Sequence, residues 1–264
     1  MANGNAIALP GQYGLLHAGW RDSGLAHTCL QLCTIAIMMN VHMRTVAISI
    51  NKGGVGKTTL TKSLAVQAVA GGFNVLILDV DSQQNAVDWG MRRVSLAKPL
   101  PLTRFCTEKD LENELQRAEK AGCDLVFIDT PPGRSSEAMA AVEVADLVLI
   151  PFENDQDSYT GVTKTAHLVR RLGKEAYGVL NKTPPNSRVH EDTAREVLKA
   201  INLSLAPVAL NRYDAHRLAN VQGMTAQEFE PGSTPALQIE GLWDWLGAIL
   251  HLRTSALVHT KGAA

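Results

Sequence analysis

Two lysines, Lys52 and Lys57, bracket three glycines in the run Ile48 to Leu64, ISINKGGVGKTTLTKSL. A glycine-rich turn between a strand and a helix frees backbone N–H groups to converge on phosphate oxygens. Gly53, Gly54 and Gly56 lack the Cβ atoms that would block this approach. Lys57 supplies a point charge to the outer phosphates, and the Thr58 hydroxyl can reach Mg2+. The expected phosphate cradle is therefore Gly53, Gly54, Val55, Gly56, Lys57, Thr58 and Thr59. The strict spacing G-x-x-x-x-G-K-[ST] is not met, because Asn51 stands where its first glycine belongs and Lys52 precedes the paired glycines.

Those residues need a scaffold, and the pattern supplies one. Apolar runs at Thr45–Ile50, Asn74–Asp81, Asp124–Asp129, Asp146–Pro151 and Tyr177–Lys182 read as strands, with weaker runs at Leu102–Cys106 and Leu205–Leu210. Between them, helical spacing is expected over Thr58–Ala70, Glu108–Ala121, Gly161–Leu172, Glu191–Ile201, Ala215–Val221 and Pro235–Leu252. Strands that are apolar on both faces and alternate with helices predict an α/β fold: a mostly parallel twisted sheet with helices on both sides. Ligands of such sheets collect at the carboxyl ends of the strands, where Asp79, Asp81 and Asp129 fall.

The chain has 264 residues, 45% of them hydrophobic, and a formal net charge of −1. No global positive field draws it to nucleic acid or anionic lipid, so any such binding needs a local patch. Residues 1–42 contain one basic and one acidic residue, Arg21 and Asp22, and suit neither a secretory signal nor a membrane span. They are expected to be a mobile extension or an upstream start-site artefact, with the working domain at 43–264. Cys29 and Cys33 beside His27 have no second ligand pair at zinc-like spacing, so they read as ordinary thiols, like Cys106 and Cys123.

The run N-K-G-G-V-G-K-T-T, Asn51 to Thr59, resembles the deviant Walker A motif of the ParA/MinD family of P-loop ATPases. The resemblance implies a P-loop NTPase fold, ATP and Mg2+ as cofactors, and an ATP-dependent homodimer in which Lys52 reaches the nucleotide of the other subunit. VLILDVDSQQN is similar to the family's second motif, which implies that Asp81 orients the attacking water and Asp79 supports the metal region. VFIDTPPG resembles the Walker B strand and the switch after it, implying Asp129 as a Mg2+ holder beside Thr58. VLNK resembles the strand whose asparagine, here Asn181, lies near adenine. The resemblance runs from about Met43 to Leu252.

Within the family, the features point to a small ParA-type partition ATPase. The tail GLWDWLGAILHLR has an apolar face but carries Asp244 and only Arg253 as a clear cation, so it reads as a packing helix and not a membrane anchor. No cysteine follows the Walker B strand, which disfavours a redox ATPase. Lys182 to Arg217 holds six basic and four acidic residues, net +2, and Arg188, Arg217 and Lys199 fall where such proteins contact DNA without sequence preference. The resemblance further implies a ParB-like centromere-binding or adaptor protein that stimulates hydrolysis, a cytoplasmic, nucleoid-associated location and no membrane partner. The alternatives are a ParA-like ATPase that positions an organelle or protein cargo, and a metabolic or redox ATPase that never touches DNA.

Overall fold

The structure is a computed structural model and describes residues 42–98, 100–133, 135–185 and 187–252. Apart from His42, the expected extension lies outside these residues, as do His27, Cys29, Cys33 and Arg253. Seven parallel strands form one sheet: β1 (Arg44–Ile48), β2 (Val75–Asp79), β3 (Leu102–Phe105), β4 (Leu125–Asp129), β5 (Leu147–Phe152), β6 (Glu175–Leu180) and β7 (Ser204–Leu205). Their spatial order is β3-β2-β4-β1-β5-β6-β7, all neighbours parallel. The helices are α1 (Lys57–Ala70), α2 (Asn85–Ser95), α3 (Leu111–Lys120), α4 (Ser136–Val144), α5 (Gln156–Arg171), α6 (Arg188–Ala200), α7 (Asp214–Val221), α8 (Ala226–Phe229) and α9 (Thr234–Ile249).

Every residue of β2, β4 and β5 is buried, as expected where helices cover both faces of a sheet. Burying each Val, Leu or Ile side chain stabilises the fold by roughly 1.5–3 kcal/mol, so these strands anchor it. One face packs against α3, α4, α5 and α6; the other packs against α1, α2 and α9. Leu242, Trp243 and Leu246 of α9 are buried in that second core, so the tail helix covers the sheet.

Register brings the acids together. Asp79 and Ile48 both pair with Asp129, which places three strand ends around the loop that follows β1. The chain moves from β1 across β4 to β2 and later from β4 back across β1 to β5, so the direction of winding reverses beside β1. Crevices form at such reversals.

Several boundaries differ from expectation. Helices α2 and α4 were not visible in the pattern. A Cβ on Gly90 of α2 would sit 2.0 Å from Thr103 Oγ1, so a residue poor in helix propensity is required where α2 touches β3. Helix α5 begins at Gln156, not Gly161, because Asp155 caps it by accepting the Ser158 N–H at 2.9 Å. Helix α6 begins at Arg188, not Glu191. Of the run Leu205–Leu210 only Leu205 is in a strand, Ser204–Leu205, and Pro207, which has no N–H for a ladder, stands two residues on.

Candidate functional site

The loop Asn51–Gly56 leaves β1 and enters α1 through two left-handed glycines, Gly54 at φ +76° and Gly56 at φ +94°. Such values are strained for any residue with a Cβ. At Gly56 there is no room either, since an added Cβ would lie 2.4 Å from Asn181 Nδ2. Asn181 donates that amide to Val55 O at 2.7 Å, and its Oδ1 accepts the Lys182 N–H at 2.9 Å. Expected beside adenine, Asn181 has its side chain committed to the loop, which it holds in shape. Among the described residues, no protein acceptor takes the backbone N–H groups from Gly53 to Thr59. Seven donors at a helix start, left to a ligand, fit phosphate oxygens.

Lys57 is 7% exposed and donates to Lys52 O at 3.2 Å. Burial lowers its pKa, while the Asp129 and Asp81 carboxylates pull the other way. A buried cation with one carbonyl partner is suited to an incoming anion. Lys52 sits outside the loop: its Nζ donates to Asp155 Oδ1 at 2.6 Å and to Ser158 Oγ at 3.1 Å. Burial opposes ionisation of Asp155, yet the Lys52 ammonium and the Ser158 N–H hold its pKa at about 2. Within one chain Lys52 is therefore latched to the start of α5, with its side chain 29% exposed.

The acids take distinct places. Asp129 is buried, with the Thr61 hydroxyl 3.3 Å from its Oδ1; burial pushes its pKa up to about 7, against the opposing pull of the Thr58 hydroxyl and the Lys62 and Lys57 ammoniums. A carboxylate so raised, beside a threonine hydroxyl and below Lys57, gains its charge-balancing partner from a divalent cation, so Thr58 and Asp129 fit Mg2+. Asp79, expected to support the metal region, is otherwise engaged. Its Oδ1 accepts the Asp81 N–H at 3.1 Å and its Oδ2 the N–H groups of Ala86 and Val87 at 2.8 and 3.3 Å. It clamps the turn that carries Asp81 onto α2. Asp81 accepts the Gln83 N–H at 2.9 Å through Oδ1, which leaves Oδ2 for a water. Thr130 donates to Ile48 O at 2.8 Å and ties the segment after β4 to β1.

A cavity of about 450 Å3 opens beside Gly56 and Thr59, bounded by Asn211, Arg212, Tyr213 and His216. Its size suits a nucleoside next to the phosphate cradle.

This arrangement has known counterparts. The profile of the CobQ/CobB/MinD/ParA nucleotide binding domain matches residues 46–239. The chain belongs to this family. It is 31% identical over 184 residues to the "Maintenance of carboxysome distribution protein A" of Gloeobacter kilaueensis, covering 69% of this chain and 83% of that one. It is 30% identical over 151 residues to the "Chromosome-partitioning ATPase Soj" of Thermus thermophilus, covering 47% of this chain and 61% of that one. The septum site-determining protein MinD of Pyrococcus horikoshii, solved with Mg-ADP, superposes with a TM-score of 0.65 at 20% identity, covering 79% of this chain and 97% of that one. As a ParA/MinD-family member, the protein is a nucleotide-binding ATPase that uses ATP and Mg2+.

The candidate DNA residues of this ParA/MinD-family ATPase do not form the single patch expected. Arg188 and Lys199 lie at opposite ends of α6, about 16 Å apart along one side of the helix. Exposed Arg195 falls between them, and among the described residues it makes no ion pair with Glu191. Arg217 lies on α7, beside α1 on the other face of the sheet, and pairs with Asp214 at 3.3 Å.

Three further groups were missed in the sequence. Lys182 donates to Gly54 O and pairs with Glu153 at 3.1 Å, and Arg212 pairs with the same Glu153 at 3.1 Å, so the outer lip of the loop is braced to β5. The only signal was Lys182 itself, following Asn181. Buried Arg93 makes two bonds to Glu228, at 2.7 and 2.9 Å, and lies 4.7 Å from the Trp89 ring centroid. Lys62 lies 5.5 Å from the same centroid, and burial lowers its pKa to about 8. These contacts fasten α2, which follows the Asp81 turn, to the α7–α8 region.

Proposed function

We propose that the chain is a partition-type ATPase whose ATP-bound dimer binds DNA without sequence preference. The loop N–H groups and Lys57 bind the phosphates, Thr58 and Asp129 hold Mg2+, and Asp81, aimed by Asp79, orients the attacking water. Phosphoryl transfer asks for positioning and charge stabilisation, and those residues supply both. Lys52 leaves Asp155 and crosses to the nucleotide of the second subunit. A single flexible point charge can make that move without fork geometry.

The observation that carries this reading is the division of labour between the two lysines. Lys57 is buried under the cradle, whereas Lys52 is held outside it by two side chains of α5 and its N-cap. In the dimer, the α6 stripe and Arg217 are doubled, which turns a weak patch into useful avidity. A ParB-like adaptor then stimulates hydrolysis and returns the ATPase to the weakly binding state, in a cytoplasmic, nucleoid-associated cycle.

A second reading differs only in cargo: a protein compartment instead of a DNA molecule. The similarity to a carboxysome distribution protein favours it. Retention of duplex DNA with ATP against ADP, across a salt series, tests what both readings share. Binding with ATP, a steep loss with salt and weakening in Arg217→Glu and Lys199→Glu are expected. Equal retention with either nucleotide, or none, refutes them and leaves a metabolic ATPase. A pull-down from the native cell separates the two cargoes.

A further inference from the structure

Lys62 is a buried cation that the proposed chemistry does not use. It stands one helical turn beyond Thr58 on α1 and is 6% exposed. Its Nζ donates to Asn220 Oδ1 at 3.1 Å and lies 5.5 Å from the Trp89 ring centroid, so one ammonium joins α1 to α7 and α2. Burying an ammonium with a single neutral acceptor is costly, and an apolar side chain such as Met avoids that cost. Desolvation lowers the Lys62 pKa to about 8, helped by Arg92 and opposed by Asp129, Asp79 and Asp88, so at neutral pH it carries its charge. Desolvated charges of this kind cluster at functional sites.

The two contacts of Lys62 lead to opposite ends of the nucleotide site. Asn220 lines the nucleoside cavity together with Thr59, Ser63 and His216. With Oδ1 taken by Lys62, its amide has N–H donors left for that cavity, and these match the ring-nitrogen acceptors of a purine. On the other side, Trp89 is fully buried in α2, where its Nε1 donates to Met224 O at 3.3 Å. The first turn of α2 is bonded through Ala86 and Val87 to Asp79, which also accepts the Asp81 N–H. A shift of α2 therefore changes the aim of Asp81. We propose that Lys62 is a positioning residue: by tying Asn220 in the cavity wall to Trp89 of α2, it makes the setting of the Asp81 turn depend on whether a base fills the cavity. Such coupling needs a base that interacts differently with the two settings of α2, and Asn220 provides the contact. This role rests on Asp81 orienting the attacking water, as proposed above, and makes turnover as well as affinity respond to the nucleoside.

The test uses the full chain with Mg2+ and two substrates: ATP, and inorganic tripolyphosphate, which can fill the phosphate cradle but brings no base. The parent should turn over ATP at least tenfold faster in kcat than tripolyphosphate. Lys62→Met should lower kcat for ATP at least fivefold, with KM for ATP and kcat for tripolyphosphate both within twofold of the parent. Asn220→Ala should show the same selective loss in kcat, and the double variant no further loss. Equal parental rates on the two substrates, or variants that keep the parental ratio, overturn the proposal. So do equal losses on both substrates, since Lys62 would then act only in holding the fold. Asp81→Ala, run alongside, separates the two levels of failure. Parent-like hydrolysis there removes the Asp81 assignment and the role of Lys62 with it, whereas an inactive Asp81→Ala beside a parent-like Lys62→Met overturns the role of Lys62 alone.

Discussion

Replacing the loop glycines one at a time with alanine should produce a graded loss of ATP affinity set by backbone geometry. Gly53 has no left-handed torsion, and its new Cβ would meet Pro132 at an ordinary 3.6 Å. Gly53→Ala should therefore stay within about threefold of the parent, equivalent to roughly 0.6 kcal/mol. Gly54 is left-handed at φ +76° but has open space around it. Strain alone, about 1–2 kcal/mol, should weaken binding roughly 5- to 30-fold. Gly56 has both problems: φ +94°, and a Cβ 2.4 Å from the Asn181 amide. Displacing that amide from Val55 O adds about 1–3 kcal/mol for a buried group left unpaired, a total of about 2–5 kcal/mol and a loss of roughly 30-fold or far more. Calorimetric titration with ATP and Mg2+ measures all three. Parent-like affinity in Gly56→Ala, or a larger loss in Gly53→Ala than in Gly56→Ala, would refute the claim that this torsion and this contact shape the cradle.

Other expectations follow from the buried charges. Asp129 has its folded pKa raised from 3.8 to about 7, so between those values the folded state holds a proton that the unfolded state has released. Without ligand, stability in urea should fall as pH rises from about 4 to 7, and Asp129→Asn should flatten that slope; an unchanged slope in the variant removes the assignment. Arg93→Ala leaves largely buried Glu228 with only Lys98 at 3.6 Å and Thr225 as partners and should cost about 3 kcal/mol, lowering the melting temperature by roughly 6–12 °C. A drop of under 2 °C would show that α2 is held by other contacts. Asp155→Ala releases Lys52 from a partly exposed pair of about 1 kcal/mol at most in each subunit, so the ATP-dependent dimer, which breaks two such pairs, should tighten by up to about 30-fold in sedimentation equilibrium. A weaker dimer would mean that Asp155 aims Lys52 instead of restraining it.

Much of this was legible in the sequence because its causes are local. Continuous apolar runs such as LVFID and LVLIP, short, β-branched and ended by acid or proline, read as strands covered on both faces, and the glycine spacing of the loop reflects a backbone requirement that leaves its mark residue by residue. What escaped depends on contacts made by distant parts of the chain. Gly90 lowers the helix propensity of α2, and only its contact with Thr103 explains why no side chain fits there. Asp79 looked like a metal ligand because its sequence neighbours do not reveal that Ala86 and Val87 fold back to donate to it. Arg188, Lys199 and Arg217 looked like one patch because sequence distance does not show which face of the sheet a helix covers.

The central claim is that Lys52 leaves its own chain to neutralise phosphate in a second copy. The decisive measurement is the mass in solution of the Asp81→Ala protein with saturating ATP and Mg2+, alongside the same protein carrying Lys52→Ala. A dimer in the first and a monomer that still binds ATP in the second is the predicted result. Two monomers, or two dimers of equal stability, would contradict it.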